Sequence, residues 1–178
     1  MNKTESHIRQ HGESIGFGSD RDAYLFEGKV FKFAMGQEAA QQTLFEQKIW
    51  ESIPSKFKVF FPNPSWMGRI VTMDYVEVAS QTINTTKVVT KLPFNEFTKT
   101  IPSLPYNGGD IVWVAYQTGI KINWELLQEF FDWFVKQGGM VIDIINNDDN
   151  FGIQNGELKI VDWGWSNINT DIINFGDR

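Results

Sequence analysis

The sequence predicts an α+β fold, and three observations lead to this prediction. Residues 13–34 contain short strand-like segments separated by glycine turns. Residues 124–139 carry apolar side chains at helical spacing and end at a pair of glycines. Near the end of the sequence, Asn155-Gly156 separates two apolar segments, as in a tight hairpin. The order of strands, helix, strands, irregular segment, helix and hairpin is that of an α+β protein.

The first strands lie around closely spaced glycines. Gly16 and Gly18 interrupt one strand, and the chain then turns back at Glu27-Gly28. Residues 29–34 alternate in character, so that one face is aromatic and the other carries a single charged side chain, Lys32. This pattern predicts a hairpin that has Lys32 on one of its faces.

A helix and a further strand follow. The stretch between Gly36 and Pro54 has helical composition, and these two residues delimit it. Glu46 lies one turn before Ile49, which places a carboxylate beside the apolar stripe of this helix. Residues 69–78 predict a buried strand that runs into a polar link.

Residues 79–121 give the weakest pattern. A short helix is expected between Pro93 and Pro102, and the segment 107–119 is ambiguous. Beyond it, the strong helix and the Asn155-Gly156 hairpin complete the chain.

Composition excludes several classes of function. The net charge is -6 and no cluster of Lys and Arg is present, which argues against a nucleic-acid partner. There is no cysteine, and both histidines, His7 and His11, lie in the polar first segment, so thiolate chemistry is excluded and a histidine-based triad is disfavoured. No segment has the length of a signal peptide core or a membrane span, and we expect a cytoplasmic protein, in the host cytoplasm if it is viral.

Three weak signals point to a phosphate and metal site. Gly16 and Gly18 let a backbone approach a phosphate, although a plain turn is the more common reason for such glycines. Lys32 can hold phosphate oxygens if a carboxylate such as Glu46 orients it. An amide and a carboxylate on opposite arms of the hairpin, Asn150 and Asp162, can converge on one hard cation. For each pair the ordinary alternative is a surface or turn residue.

The order of these motifs resembles the protein kinase-like superfamily over residues 14–78 and 122–165. No single motif is specific, but their succession is that of the family. The matching segments are "GFGSDRDA" for the glycine-rich loop, "VFKFA" for the strand lysine, "TLFEQKIWESI" for the helix glutamate, "IVTMDYVE" for the last strand and hinge, and "DNFGI" with "GELKIVDWG" for the catalytic-loop asparagine, hairpin and D-F-G motif.

The resemblance implies a small bilobal fold that binds ATP and Mg²⁺. Residues 1–78 would form an antiparallel-sheet lobe with one helix, and residues 79–178 a reduced, mainly helical lobe with a β-hairpin. By the same resemblance, the residues that hold ATP and Mg²⁺ are Gly16 and Gly18 over the phosphates, Lys32 held by Glu46, Ala23 with Met73, Asp74 and Val76 around the adenine, and Asn150 and Asp162 on the metal.

Three departures from the family pattern separate the possible functions. Arg21 replaces the third loop glycine, where it either touches a phosphate or blocks the approach of the loop. The family's catalytic Asp precedes the Asn by five positions, but here Ile145 stands at that distance. The nearest usable acid, Asp143, lies seven positions before Asn150. Only a short segment follows Asp162, too short for an activation loop and a peptide-binding floor.

Two functions remain open, beside the alternative of an α+β protein whose motif order is coincidental and which binds no nucleotide. The first is a pseudokinase, which binds nucleotide and acts on a protein partner of unknown identity; a phage-encoded modulator of a host system would belong to this class. The second is an active minimal phosphotransferase, in which Asp143 takes the proton from a hydroxyl acceptor.

Overall fold

The backbone of the computed structural model is an α+β arrangement that contains two antiparallel sheets. The structure describes residues 3–17, 21–81, 92–101 and 109–163. The strands are Glu13–Phe17 (β1), Arg21–Phe26 (β2), Lys29–Ala34 (β3), Ser65–Met67 (β4), Ile70–Asp74 (β5), Glu77–Val78 (β6), Phe151–Gln154 (β7) and Glu157–Ile160 (β8). One sheet has the order β1-β2-β3-β5-β4, and the other has the order β6-β7-β8.

The helices connect and cover these strands. They are Lys3–His11 (α1), Gly36–Ser52 (α2), Phe94–Thr98 (α3), Gly109–Thr118 (α4), Trp124–Lys136 (α5) and Val141–Ile145 (α6), with 3₁₀ turns at Ser55–Phe60 and Asp148–Asn150. The short helix expected after Pro93 is confirmed, and the ambiguous segment before Gly119 is helical. The side chain of Asn123 caps α5 by accepting a hydrogen bond from the Leu126 N–H at 3.0 Å. In the described residues, every helix is too short or too polar to cross a bilayer.

The register of the first sheet gathers four of the expected site residues on one face. Ala23 pairs with Lys32, and Arg21 pairs with Ala34. On the other side of β3, Val30 pairs with Met73. Directly paired residues point to the same face of a sheet, and side chains two apart on a strand do so as well. Arg21, Ala23, Lys32 and Met73 therefore share one face.

The opposite face of this sheet is covered by α1. Ile8 packs there with Phe33 and Ile70, and all three are buried. The guanidinium of Arg9 lies over the Phe33 ring at 4.7 Å and also pairs with Asp22 at 2.5 Å. This helix was not predicted from the sequence, because Ile8 is its single buried residue and one apolar side chain produces no periodic pattern.

The main core joins the first and second halves of the chain. Ile49 of α2 and Phe57 of the following 3₁₀ turn share it with Phe130 of α5. The ring of Phe61 also meets Trp163 edge-on, with centroids 4.6 Å apart. The core thus continues across position 78, where the resemblance places the boundary between the lobes.

The predicted hairpin is present and its turn is at Asn155-Gly156. Both residues have positive φ, 55° and 77°, as a tight hairpin turn requires. Gln154 pairs with Glu157 at the turn, and Phe151 pairs with Ile160 at the far end. One more backbone bond, from the Val161 N–H to the Asn150 carbonyl at 2.9 Å, extends the pairing. This bond places Asn150 beside the residue that precedes Asp162.

Gly152 allows the close approach of β6 and β7, so we expect Gly152→Ala to destabilise the fold. A Cβ at this position would collide with the Val76 side chain and lie 2.9 Å from the Glu77 carbonyl oxygen. Overpacking of this kind lowers the free energy of unfolding by about 1–3 kcal/mol, measurable by urea denaturation. Gly16→Ala is the matched control, because its nearest neighbour would be the Ala23 Cβ at 3.9 Å. Equal stability of the two variants would contradict the steric argument.

Candidate active site

A cleft of about 910 Å³ lies between the first sheet and the segment that carries α6 and the hairpin. It brings together most of the residues that the sequence singled out. These are Gly16, Arg21, Ala23, Lys32, Met73, Asp74, Val76, Asp143, Asn150 and Asp162. Glu46 is not on the wall of the cleft but lies buried behind Arg21, and Gly18 lies outside the described residues.

One end of the cleft is apolar. Val30, Met73, Val76 and Val161 form a buried cluster there, and Ala23 packs against it. These residues come from β2, β3, β5, the link between β5 and β6, and the end of the hairpin. Asp74, which the resemblance assigns to the hinge, also lines the cleft, but its carboxylate accepts hydrogen bonds from Lys29 and Asn63 at exposed positions. This end suits an apolar group of a ligand.

The other end holds a cluster of two cations and two carboxylates. The Arg21 Nη1 lies 2.8 Å from the Glu46 Oε2, and its Nη2 lies 2.5 Å from the Asp162 Oδ1. The Lys32 Nζ donates to the Val161 carbonyl oxygen at 2.7 Å and lies 3.6 Å from the Asp162 Oδ2. Arg21 and Lys32 therefore join the first sheet both to α2 and to the end of the hairpin.

We expected Lys32 to pair with Glu46, and the structure shows a different pairing. Glu46 pairs with Arg21, whereas the ion pair of Lys32 is with Asp162. There are two physical reasons. Arg21 is the first residue of β2 and lies on the same sheet face as Lys32. Its planar guanidinium also has donors on two sides, so that it can bridge two carboxylates. The position of Glu46 beside the apolar stripe of α2 predicted a cationic partner. It did not indicate whether this partner would be Arg21 or Lys32.

Burial and the neighbouring charges set the protonation of the cluster. Burial lowers the pKa of Lys32, and the positive charge of Arg21 adds to this effect. Burial also raises the pKa of Glu46, although the attraction of Arg21 opposes it. Burial acts in the same direction on Asp162, but the attraction of Lys32 and Arg21 prevails and holds its pKa well below its usual range. Asp162 thus keeps its negative charge between two cations.

Asp143 reaches the cleft in spite of its unusual spacing. It lies on α6, and the 3₁₀ turn before β7 takes up the additional residues between it and Asn150. The Asn150 Nδ2 then donates to the Asp143 carbonyl oxygen at 2.6 Å, which fixes the return of the chain. Burial raises the pKa of the Asp143 carboxyl. A carboxylate with a raised pKa is a better proton acceptor than a fully solvated one.

The two residues expected to bind Mg²⁺, Asn150 and Asp162, both line the cleft. The hairpin does bring Asn150 and Asp162 to the same edge, but both oxygens of Asp162 already face cations. Mg²⁺ is bound in proteins through one or two carboxylates, with waters and phosphates completing its shell. In the described part of the chain, no group of three or more His, Cys, Asp or Glu side chains is placed to hold a metal ion.

Several residues of the cleft gave no signal in the sequence. Gln42 of α2, Met140 and Ser80 all line it. The Ser80 hydroxyl donates to the Asp149 carboxylate, which also lines the cleft, at 2.5 Å. These residues belong to no motif, and their positions follow only from the path of the folded chain.

We expect Arg21→Met to lower the free energy of unfolding by about 3–5 kcal/mol, because it leaves Glu46 buried without its cation. The double variant Arg21→Met/Glu46→Leu should recover most of this loss, since it removes both charges and keeps the volume. Urea denaturation followed by circular dichroism measures both values. Equal losses in the single and double variants would show that the ion pair is not the cause.

Comparison with protein-family models, with curated proteins and with solved structures finds no match to this chain. The function of the cleft is therefore inferred from its own residues. These combine an apolar end, a pair of buried cations and a carboxylate on α6 in one cavity.

Proposed function

We propose that the chain binds ATP in this cleft and is a kinase-like protein of the pseudokinase class, which acts through a protein partner. The observation that carries the proposal is the convergence of Arg21, Lys32 and Asp162 at one end of a cleft whose other end is apolar. Segments that are far apart in sequence supply these residues, as the motif order requires.

The architecture supports a kinase-like reading. The resemblance implies a first lobe made of an antiparallel sheet with one helix, and residues 13–74 form a five-stranded antiparallel sheet that carries α2. It also implies a second, mainly helical lobe with a hairpin, which corresponds to the helices α3 to α6 and the strands β7 and β8. The cleft lies between these parts.

Each part of ATP has a matching region of the cleft. The adenine is expected against the apolar end, beside Ala23 and Met73. The phosphates are expected at Lys32. Its ammonium has three N–H donors, and its contacts are with the Val161 carbonyl and the Asp162 carboxylate. Gly16 lies on the wall of the cleft, where it can let the backbone of β1 approach the ligand.

Two observations favour the pseudokinase over an enzyme. The Asp162 carboxylate, which the resemblance assigns to the metal, is bound by Arg21 instead. On α3 and α4, the rings of Phe94 and Trp113 pack edge to face and are both about two-fifths exposed, 39% and 42%. Aromatic side chains are enriched at protein interfaces, so this surface supports a protein partner.

An active phosphotransferase is the second candidate, and the position of Asp143 favours it. Its carboxyl lines the cleft and has a raised pKa, as a general base requires. In such a reaction Asp143 would accept the proton of a hydroxyl acceptor, whose oxygen bonds to the γ-phosphorus while the bond to the leaving ADP oxygen breaks. Arg21 and Lys32 would stabilise the charge on the transferred phosphoryl group.

ATP should raise the melting temperature of the protein, and Lys32→Ala should abolish this rise. A ligand at a hundredfold excess over Kd stabilises the folded state by about 2.7 kcal/mol, which corresponds to roughly 5–10 °C for a chain of this size. Lys29→Ala is the matched control, because Lys29 lies on the same strand but pairs with Asp74 at the surface. An unchanged melting temperature of the wild type at millimolar ATP would contradict the proposal.

Transfer of labelled phosphate from ATP separates the two candidates. The pseudokinase predicts ATP binding without transfer to added hydroxyl acceptors, to water or to the protein itself. The phosphotransferase predicts transfer that is lost in Asp143→Asn by about 100-fold or more, since general base catalysis contributes this much. Asp148→Asn serves as control, because Asp148 lies in the same loop and is not among the residues that line the cleft. Transfer unaffected by Asp143→Asn would remove Asp143 from the reaction.

A further inference from the structure

The two histidines of the chain lie together on α1, outside the cleft. His7 and His11 are four positions apart, which places their side chains one turn apart on the same side of the helix. Both residues are exposed. Their ring centroids are 4.6 Å apart, and the ring planes are inclined by 50°. Neither histidine lines the cleft, so the proposed function leaves this pair without a role.

The distance between the two rings is that of imidazoles that share one metal ion. A metal ion about 2.0–2.1 Å from one nitrogen of each ring lies roughly 3.2 Å from each ring centroid. With a bond angle of about 90–110° at the metal, the two centroids are about 4.5–5.2 Å apart. The observed 4.6 Å lies in this range. Rotation of each ring about its Cβ–Cγ bond redirects the nitrogens and leaves the centroids nearly in place, and this torsion is soft.

The helix that carries the pair is fixed to the first sheet. Ile8, between the two histidines, is buried against the sheet, and Arg9 pairs with Asp22 of β2 at 2.5 Å. The His7 ring also packs edge-on against Phe26, at the end of β2, with centroids 5.6 Å apart. The spacing of the two imidazoles is therefore set by the fold. An ion that binds this arrangement more tightly than the unfolded chain stabilises the folded state.

We propose that His7 and His11 together bind one divalent transition-metal ion, Zn²⁺, Cu²⁺ or Ni²⁺, which fastens the end of α1. Imidazole nitrogens suit these ions, whereas Mg²⁺ and Ca²⁺ prefer oxygen ligands. In the described residues, no group of three or more His, Cys, Asp or Glu side chains forms around the pair, so water completes the shell of the ion. This inference is independent of the proposed function, because α1 covers the sheet face opposite that of Lys32.

Calorimetric titration of the untagged full chain with Zn²⁺ or Ni²⁺, in the presence of excess Mg²⁺, tests the site. We expect one ion per chain and a melting temperature that rises with the concentration of Zn²⁺ or Ni²⁺. Excess Mg²⁺ occupies carboxylate sites and should leave the Kd of Zn²⁺ unchanged. Absence of binding at millimolar Zn²⁺ and Ni²⁺ would overturn the inference. Loss of Zn²⁺ binding in excess Mg²⁺ would assign the ion to carboxylates and overturn it as well.

A variant of identical composition tests the spacing of the two rings. Ser6→His/His7→Ser keeps two histidines on α1 but places them five positions apart, roughly 140° from each other around the helix. We expect the Kd of Zn²⁺ and Ni²⁺ to weaken at least about tenfold, which is 1.4 kcal/mol, and the rise in melting temperature to disappear. His11→Gln removes one ring at an exposed position and should have the same effect.

Circular dichroism shows which of the two variants keep the fold, and each folded variant decides by itself. Binding as tight as that of the wild type in either one would show that the histidines do not act as a pair, and would overturn the inference.

Discussion

The guanidinium of Arg21 is the interaction on which the arrangement of the cleft depends. It pairs with Glu46 on α2 and with Asp162 after the hairpin, and these partners are 25 and 141 positions away in sequence. A buried arginine stays charged at any physiological pH, so the folded state is stable only if well-oriented anionic partners offset the cost of burying that charge. Glu46 and Asp162 are these partners, and their ion pairs with Arg21 fix α2 and the end of the hairpin relative to the first sheet.

Lys32 completes this arrangement from the neighbouring strand. Its hydrogen bond to the Val161 carbonyl holds the residue before Asp162. The residue after Asp162, Trp163, is packed in the main core. Asp162 is therefore held by the backbone on both sides and by two cations at its carboxylate. In such a cluster the loss of one member leaves the charge of its partners unbalanced, which makes the four side chains interdependent.

The sequence predicted the elements well where the pattern was strong. The α5 stripe and the Asn155-Gly156 turn are local features, and both appear where they were expected. Motif order also singled out Lys32, Asn150 and Asp162, and Asp143 was the nearest acid upstream of Asn150; all four line one cleft. The sequence did not predict whether Glu46 would pair with Arg21 or with Lys32, because that pairing depends on the register of β2 against β3. It also missed α1, which owes its place to one buried isoleucine and a cation over an aromatic ring.

The continuous core beneath the cleft has a consequence for how a ligand would enter. Phenylalanines that follow α2 pack directly against those of α5, so the two walls cannot swing apart without exposing these rings to water. The cleft is thus preorganised, and its width in the free protein is the width that a ligand meets. Selection among ligands would then occur on entry, by shape and charge at the rim, rather than by a closure step after binding.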